Sequence, residues 1–158
     1  MTKKIVILNL VDFPHWETLI DFYFDECDAF EIFFPDDTES TEDYNPLITG
    51  YKDFLNLPQI NVNQWDGMEN SVCITGPLND EAKNTFYKYV KDNHDDKYPA
   101  RLWTFFLVKN KTKVFKIDDF TVCILETKPE LMEKLNKLGI DFDDIDNINV
   151  SDFDFDDV

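Results

Sequence analysis

Apolar and polar positions recur along this chain with spacings that predict a series of short elements. Residues 3–11 cluster isoleucine, valine and leucine and predict a strand buried on at least one face. Asp12, Phe13, Pro14 and His15 then open a helix, with Asp12 or Phe13 near the cap and Pro14 where a missing N–H is harmless. At about 100° per residue, Trp16, Leu19, Ile20, Tyr23 and Cys27 share one arc of this helix, while Glu17, Asp21, Asp25 and Asp28 fall within about 80° on another. The helix is expected to bury aromatics and to show solvent a stripe of carboxylates.

Residues 29–34 predict a strand that ends at Pro35, and residues 36–43 have turn chemistry and no apolar anchor, so they predict an exposed loop. Asn45 and Pro46 resemble a cap and first turn, followed by Leu47, Ile48, Tyr51, Phe54 and Leu55 at helical spacing around Gly50. Residues 59–65 and 68–75 flank Asp66 and Gly67, a pair suited to the positive φ angles of a tight hairpin turn. Across 77–93, Ala82, Phe86, Tyr89 and Val90 mark a third helix, capped by Asn79 and favoured by Asp80 and Glu81 in its first turn. A three-strand meander is predicted over 101–108, 113–117 and 120–125, with turns at Asn110–Lys111 and Asp118–Asp119. Thr127 and Glu130 have capping-box spacing for a short helix carrying Leu131, Leu135 and Leu138 and stopped by Gly139.

Strands and helices are interspersed, but the hairpins argue against βαβ winding. The predicted class is α+β: a mainly antiparallel sheet, built from the hairpin at 59–75 and the meander at 100–126, packed by three or four helices. One globular domain over 1–140 is expected, followed by an acidic Asp/Phe tail at 141–158. As an end strand that tail would divide phenylalanines from aspartates; as a flexible segment it would offer both to a basic groove.

Charge changes this otherwise ordinary picture. The formal net charge is −18, far beyond the magnitude of about 2–8 that keeps a small domain soluble. Between Lys4 and Lys52 there is no lysine or arginine, yet residues 12–43 hold twelve carboxylates, and the tail from Ile140 adds eight aspartates without a cation. Lys109, Lys111, Lys113 and Lys116 crowd the predicted meander turn but are too few to neutralise this field. They are expected to dock the tail, so that removing residues 141–158 lowers the melting temperature.

Such a balance argues against direct nucleic-acid binding and against an anionic membrane, since both draw affinity from lysine and arginine. The apolar run at 5–11 is broken by Asn9 and is read as a first strand, and no run approaches the roughly eighteen apolar residues of a membrane span. Cys27, Cys73 and Cys123 are odd in number and lie in apolar surroundings, which fits structural thiols in a reducing cytoplasm.

A search for chemistry returns little. His15 and His94 lack the spacing of a metal pair and read as a helix-start residue and a loop residue. Gly50, Gly67, Gly76 and Gly139 are isolated, so no phosphate-cradling loop exists. Asp141 and Asp152 each begin an aspartate run, but neither register supplies the ligands and glycine of a calcium loop. No cofactor, metal or catalytic residue is expected, although a small enzyme with an unrecognised site is kept as an alternative. It would need His15 or His94 in a pocket beside a cysteine or a buried acid.

The acidic segment instead predicts a basic protein partner, because complementary fields steer and accelerate encounter. The expected contacts are Glu17, Asp21, Asp25 and Asp28 of the helix, with Asp36, Asp37, Glu39, Glu42 and Asp43 of the loop. In size, acidity, compartment and aromatic α+β make-up, the whole chain resembles the small acidic immunity proteins that bacteria make against the toxins of neighbouring cells, many of them basic nucleases. That resemblance implies a toxin inhibitor and carries over no site residues. The alternative is a DNA-mimic antagonist of a DNA-binding protein, as a phage might encode, in which the line from Glu17 to Asp28 would continue into the 36–43 loop.

Overall fold

The computed structural model of the protein describes residues 4–10, 13–35, 46–67, 71–90, 101–126, 128–142 and 149–152. Eight strands among them form one wholly antiparallel sheet: β1 (Lys4–Asn9), β2 (Ala29–Pro35), β3 (Asn61–Gln64), β4 (Ser71–Pro77), β5 (Thr104–Lys109), β6 (Thr112–Asp118), β7 (Val122–Glu126) and β8 (Asn149–Asp152). Their order is β3-β4-β2-β5-β6-β7-β1-β8. Helices α1 (Trp16–Glu26), α2 (Tyr51–Leu55), α3 (Asp80–Val90) and α4 (Pro129–Lys137) complete an α+β fold, in agreement with the class read from the hairpins.

Strand pleating divides the apolar residues between two faces. In β1, Val6 and Leu8 join the main core with Leu125 and Cys123 of β7, while Ile5 and Ile7 join a smaller cluster with Phe33, Phe106 and Ile124. All four helices place their buried residues in the main core, against one face of the sheet. Phe86 of α3 is its hub, with ring centroids 5.1 Å from Phe24, 5.3 Å from Phe30, 4.8 Å from Phe54 and 5.0 Å from Phe105. One side chain thus joins α1, β2, α2 and β5. On the other face Lys113 and Lys116 place their ammonium groups 4.4 and 5.1 Å from the centroid of the Phe106 ring, the arrangement of cation–π attraction.

Several local expectations are corrected. Helix α1 begins at Trp16, with His15 at the cap position and no side-chain cap. Two turns precede it, Phe13 donating to the Leu10 carbonyl and Trp16 to that of Phe13. Pro14 therefore lies in a turn ahead of the helix, and buried Phe13 anchors that turn. The single helix expected after Pro46 is two pieces, a 3₁₀ turn at Pro46–Ile48 and the five-residue α2. Gly50 separates them at φ +88°, and a Cβ there would lie 3.1 Å from Leu102 Cδ2.

The β3–β4 hairpin forms, but its turn is longer than the Asp66–Gly67 dipeptide. Trp65 still donates to the Ser71 carbonyl, and neither Asp66 nor Gly67 has positive φ. The β5–β6 turn at Asn110 and Lys111 is as expected, both residues having positive φ; the next turn is displaced by one residue, its positive φ values falling at Asp119 and Phe120. Phe120 is held there by donating to the Trp103 carbonyl, 3.1 Å away. Thr127 of the expected capping box lies outside the described residues, and the cap position of α4 is taken by Lys128, without a side-chain bond. Gly139 does stop α4, at φ +89°, while Leu138 stays exposed and Ile140 takes the buried position.

Of the expected tail, Phe142 stacks against Phe13 with centroids 6.4 Å apart, and Asn149–Asp152 pair with β1 as the edge strand β8. The cap of α3 is as predicted: Asn79 Oδ1 accepts from the Ala82 N–H at 3.0 Å. Asn79→Ala leaves that buried-side donor without its acceptor and is expected to cost about 1 kcal/mol in urea unfolding, with an unchanged denaturant slope. An unaltered midpoint would show that the cap adds nothing.

Candidate functional site

The buried arc of α1 is wider than the sequence pattern suggested. Leu19, Ile20, Phe22, Tyr23 and Phe24 are all buried, which covers about 200° of the helix at 100° per residue. Glu26 projects between Phe22 and Leu19, inside that arc, and at a helix C-terminus where a negative charge is disfavoured. The fold answers with two lysines. Lys109 of β5 approaches Glu26 Oε2 to 2.6 Å and Lys134 of α4 approaches Oε1 to 2.9 Å, while Lys109 also lies 3.5 Å from Glu130. Hydrogen bonds from Lys109 and Lys134 hold the Glu26 carboxyl below its ordinary range, and the bond to Glu26 holds the Lys109 ammonium above its own.

The neighbouring carboxylates are also engaged by the β5–β6 hairpin. Asp28 Oδ2 accepts from the Asn110 N–H at 3.0 Å, fixing the left-handed turn. Glu31 on β2 lies 3.4 Å from Lys113, and Asp118 lies 3.8 Å from Lys116. Among the described residues, then, the lysine hairpin meets Glu26, Glu31, Asp118 and Glu130. The described part of the tail is elsewhere, paired along β1.

What remains is the outer face of α1. Glu17 and Asp25 are exposed and form no ion pair with any described residue. Asp21 lies between them, half-buried, and accepts a hydrogen bond from Tyr87 of α3. Burial and the nearby charges of Asp21 and Asp25 push the Tyr87 hydroxyl up to about 12, so it is protonated at neutral pH. The Tyr87 ring is braced from beneath by Phe24, centroids 5.1 Å apart. Carboxylates flanking a held, partly buried aromatic ring make a surface suited to cationic groups, with charge for steering and a ring for packing.

Of the residues expected to contact a partner, Glu17, Asp21 and Asp25 share this face. Asp28 lies past the helix end and serves the hairpin turn. Asp36, Asp37, Glu39, Glu42 and Asp43 lie outside the described residues. Sequence reasoning missed Tyr87, because it stands off the Ala82, Phe86 and Val90 stripe of its helix and gave no periodic signal. It also missed Glu126, a buried carboxylate at the end of β7.

His15 is exposed at the start of α1, 6.0 Å from the Phe13 ring, and Cys27 lies twelve residues along the same element, roughly 18 Å away at helical rise. These two cannot form a nucleophile pair. His94 is outside the described residues. Burial pushes the Cys27 thiol up to about 12 and the Cys73 thiol up to about 11, and raises that of Cys123; all three are protonated thiols at neutral pH. Among the described residues no group of histidine, cysteine and carboxylate side chains could hold a metal ion, and no helix is long and apolar enough to cross a membrane.

The Glu26 clamp has a pH signature. Its carboxyl titrates lower in the folded protein than in the unfolded chain, so its stabilisation is present above the unfolded value and is lost as pH falls through the folded one. Glu26→Gln is expected to cost about 1–2 kcal/mol at neutral pH, a difference that closes in acid where the native carboxyl is itself protonated. Parallel stability curves for the two proteins from neutral to acid pH would remove the clamp from the account. A comparison of the chain with protein-family models, curated proteins and solved structures finds no match.

Proposed function

We propose that this chain is an acidic binding protein that neutralises a basic protein partner, an immunity protein that inhibits a bacterial toxin such as a nuclease. It acts by occupying the partner, without a catalytic step, and works in the cytoplasm, where its three thiols stay reduced. The observation that carries this reading is the outer face of α1. The lysines nearest to α1 are drawn to Glu26, while Glu17 and Asp25 remain exposed without a described counter-ion. Asp25 lies in the last turn of the helix, where the partial negative charge of the C-terminus adds to its own and the turn itself carries no basic residue. A cationic partner relieves that repulsion on docking, and Tyr87 supplies the aromatic contact that such interfaces favour.

The DNA-mimic alternative is supported less well. It asks for carboxylates in a continuing line, and Asp28, the link from α1 towards residues 36–43, is engaged with the Asn110 N–H.

The test is capture of a partner from the native host on the purified chain, scored for net charge and repeated at high salt. A basic partner released by salt is expected; an acidic partner, or binding indifferent to ionic strength, would overturn the proposal. With that partner in hand, Glu17→Gln combined with Asp25→Asn is expected to slow association about 3–10-fold at low ionic strength, with the fold unchanged, as loss of steering charges does. Unchanged association kinetics would move the interface away from α1.

A further inference from the structure

The longest uncharged stretch of this highly charged chain is the twelve residues from Phe54 to Trp65, and the next longest, residues 70–79, contains β4. Together they place a charge-free corner at one edge of the sheet, where β3 is the terminal strand. All four residues of β3 are exposed. Of three large apolar side chains exposed among the described residues, two lie in this stretch: Leu55 at 38% and Val62 at 47%.

The backbone of β3 has a defined outer side. Trp65 donates to the Ser71 carbonyl, and hydrogen-bonded pairs alternate along an antiparallel ladder. In the observed register Asn63 with Cys73 and Asn61 with Thr75 are therefore the bonded pairs. The N–H and C=O groups of Val62 and Gln64 point away from β4, and no described strand lies beyond them. Sheet edges are ordinarily blocked by lysine, proline or inward charge; residues 59–65 contain none of these.

From this we infer that β3 is a docking edge for a second copy of the same chain, two β3 strands pairing antiparallel about a two-fold axis at Asn63. Val62 of each copy then faces Gln64 of the other, and the four outward groups on each strand are all satisfied by four hydrogen bonds. The charge pattern selects this occupant. A basic partner would be drawn to carboxylates, whereas two copies of a chain with net charge −18 can approach only where neither carries charge. The nearest charge along the strand, Asp66, would stand six residues from its symmetry mate, about 20 Å at strand rise and beyond the screening length of about 10 Å at 0.1 M salt.

The inference is independent of the partner proposed above, and the salt dependence separates them: like-charged copies associate more tightly as ionic strength rises, a cationic partner less. Sedimentation velocity of the intact chain, over micromolar concentrations at low and high salt, is expected to show a reversible dimer favoured by salt. Val62→Pro removes an outward N–H without touching the β4 ladder, a substitution edge strands tolerate, and is expected to leave a folded monomer. Hydrogen exchange read at single residues gives the second measurement: the amides of Val62 and Gln64 are expected to gain protection with concentration, while those of Asn61 and Asn63 do not change. A chain that stays monomeric at high salt would overturn the inference. So would a dimer without added protection at Val62 and Gln64, or one that survives Val62→Pro.

Discussion

Thirty-three carboxylates share fifteen lysine and arginine side chains in this protein, and where those few cations go decides which surfaces stay acidic. The helix wheel of α1 makes the point. Its buried arc is so wide that Glu26 is carried into it, and a carboxylate half out of water at a helix C-terminus needs compensation. Lys109 and Lys134 provide it. In doing so they tie α1 to β5 and α4, three elements far apart in the chain, through one side chain. The same lysines are then unavailable to Asp25, one residue earlier and about 100° further round the helix. A structural requirement inside the fold thus leaves Glu17 and Asp25 without a counter-ion among the described residues.

Packing beneath that face explains why it can be held still. Phe24 contacts both Phe86, the aromatic hub, and Tyr87, and such ring pairs add about 0.5–1.5 kcal/mol beyond the area they bury. Tyr87 is thereby fixed from below by the core and from the side by Asp21. An aromatic ring already ordered before binding loses less side-chain entropy when a partner covers it. Asp53 does similar work between α2 and α3: it accepts hydrogen bonds from Tyr89 and from Lys88, the latter at 3.1 Å, and these hold its carboxyl below the usual range. Among the described residues, ion pairs sit mainly at junctions between elements, where they set geometry.

Much of the fold was legible in the sequence, because its signals were local and strong. Alternation in β1 and β2, the Asn79 cap and the Gly139 stop each follow from chemistry within a few residues, and the meander follows from turn residues that tolerate positive φ. The errors arose where tertiary contacts prevailed. Gly50 looked like a weak point in one helix, but the closeness of Leu102 and Tyr89 makes it the break between two. Phe120, a poor candidate for positive φ, takes it because the Trp103 carbonyl receives its N–H. At the site, the α1 stripe follows from a helical wheel, but Asp28 is taken out of it by its bond to Asn110, eighty-two residues away, which no local pattern encodes. Tyr87 was invisible for a similar reason, since its importance comes from Phe24 and Asp21 on another helix.

The same charge constraint accounts for the placement of the charge-free corner. In a chain this negative, any surface left uncharged over two adjacent strands departs from the rest of the molecule, and β3 and β4 do so where the sheet has an open edge. Helix α1 packs over β5, three strands from β3, or about 14 Å across the sheet. That separation exceeds the screening length at ordinary salt, so a cation bound at α1 changes the field at β3 only weakly. The proposed cationic partner at the acidic helix and the proposed second copy at the neutral edge would therefore not compete, one being selected by opposite charge and the other by the absence of charge.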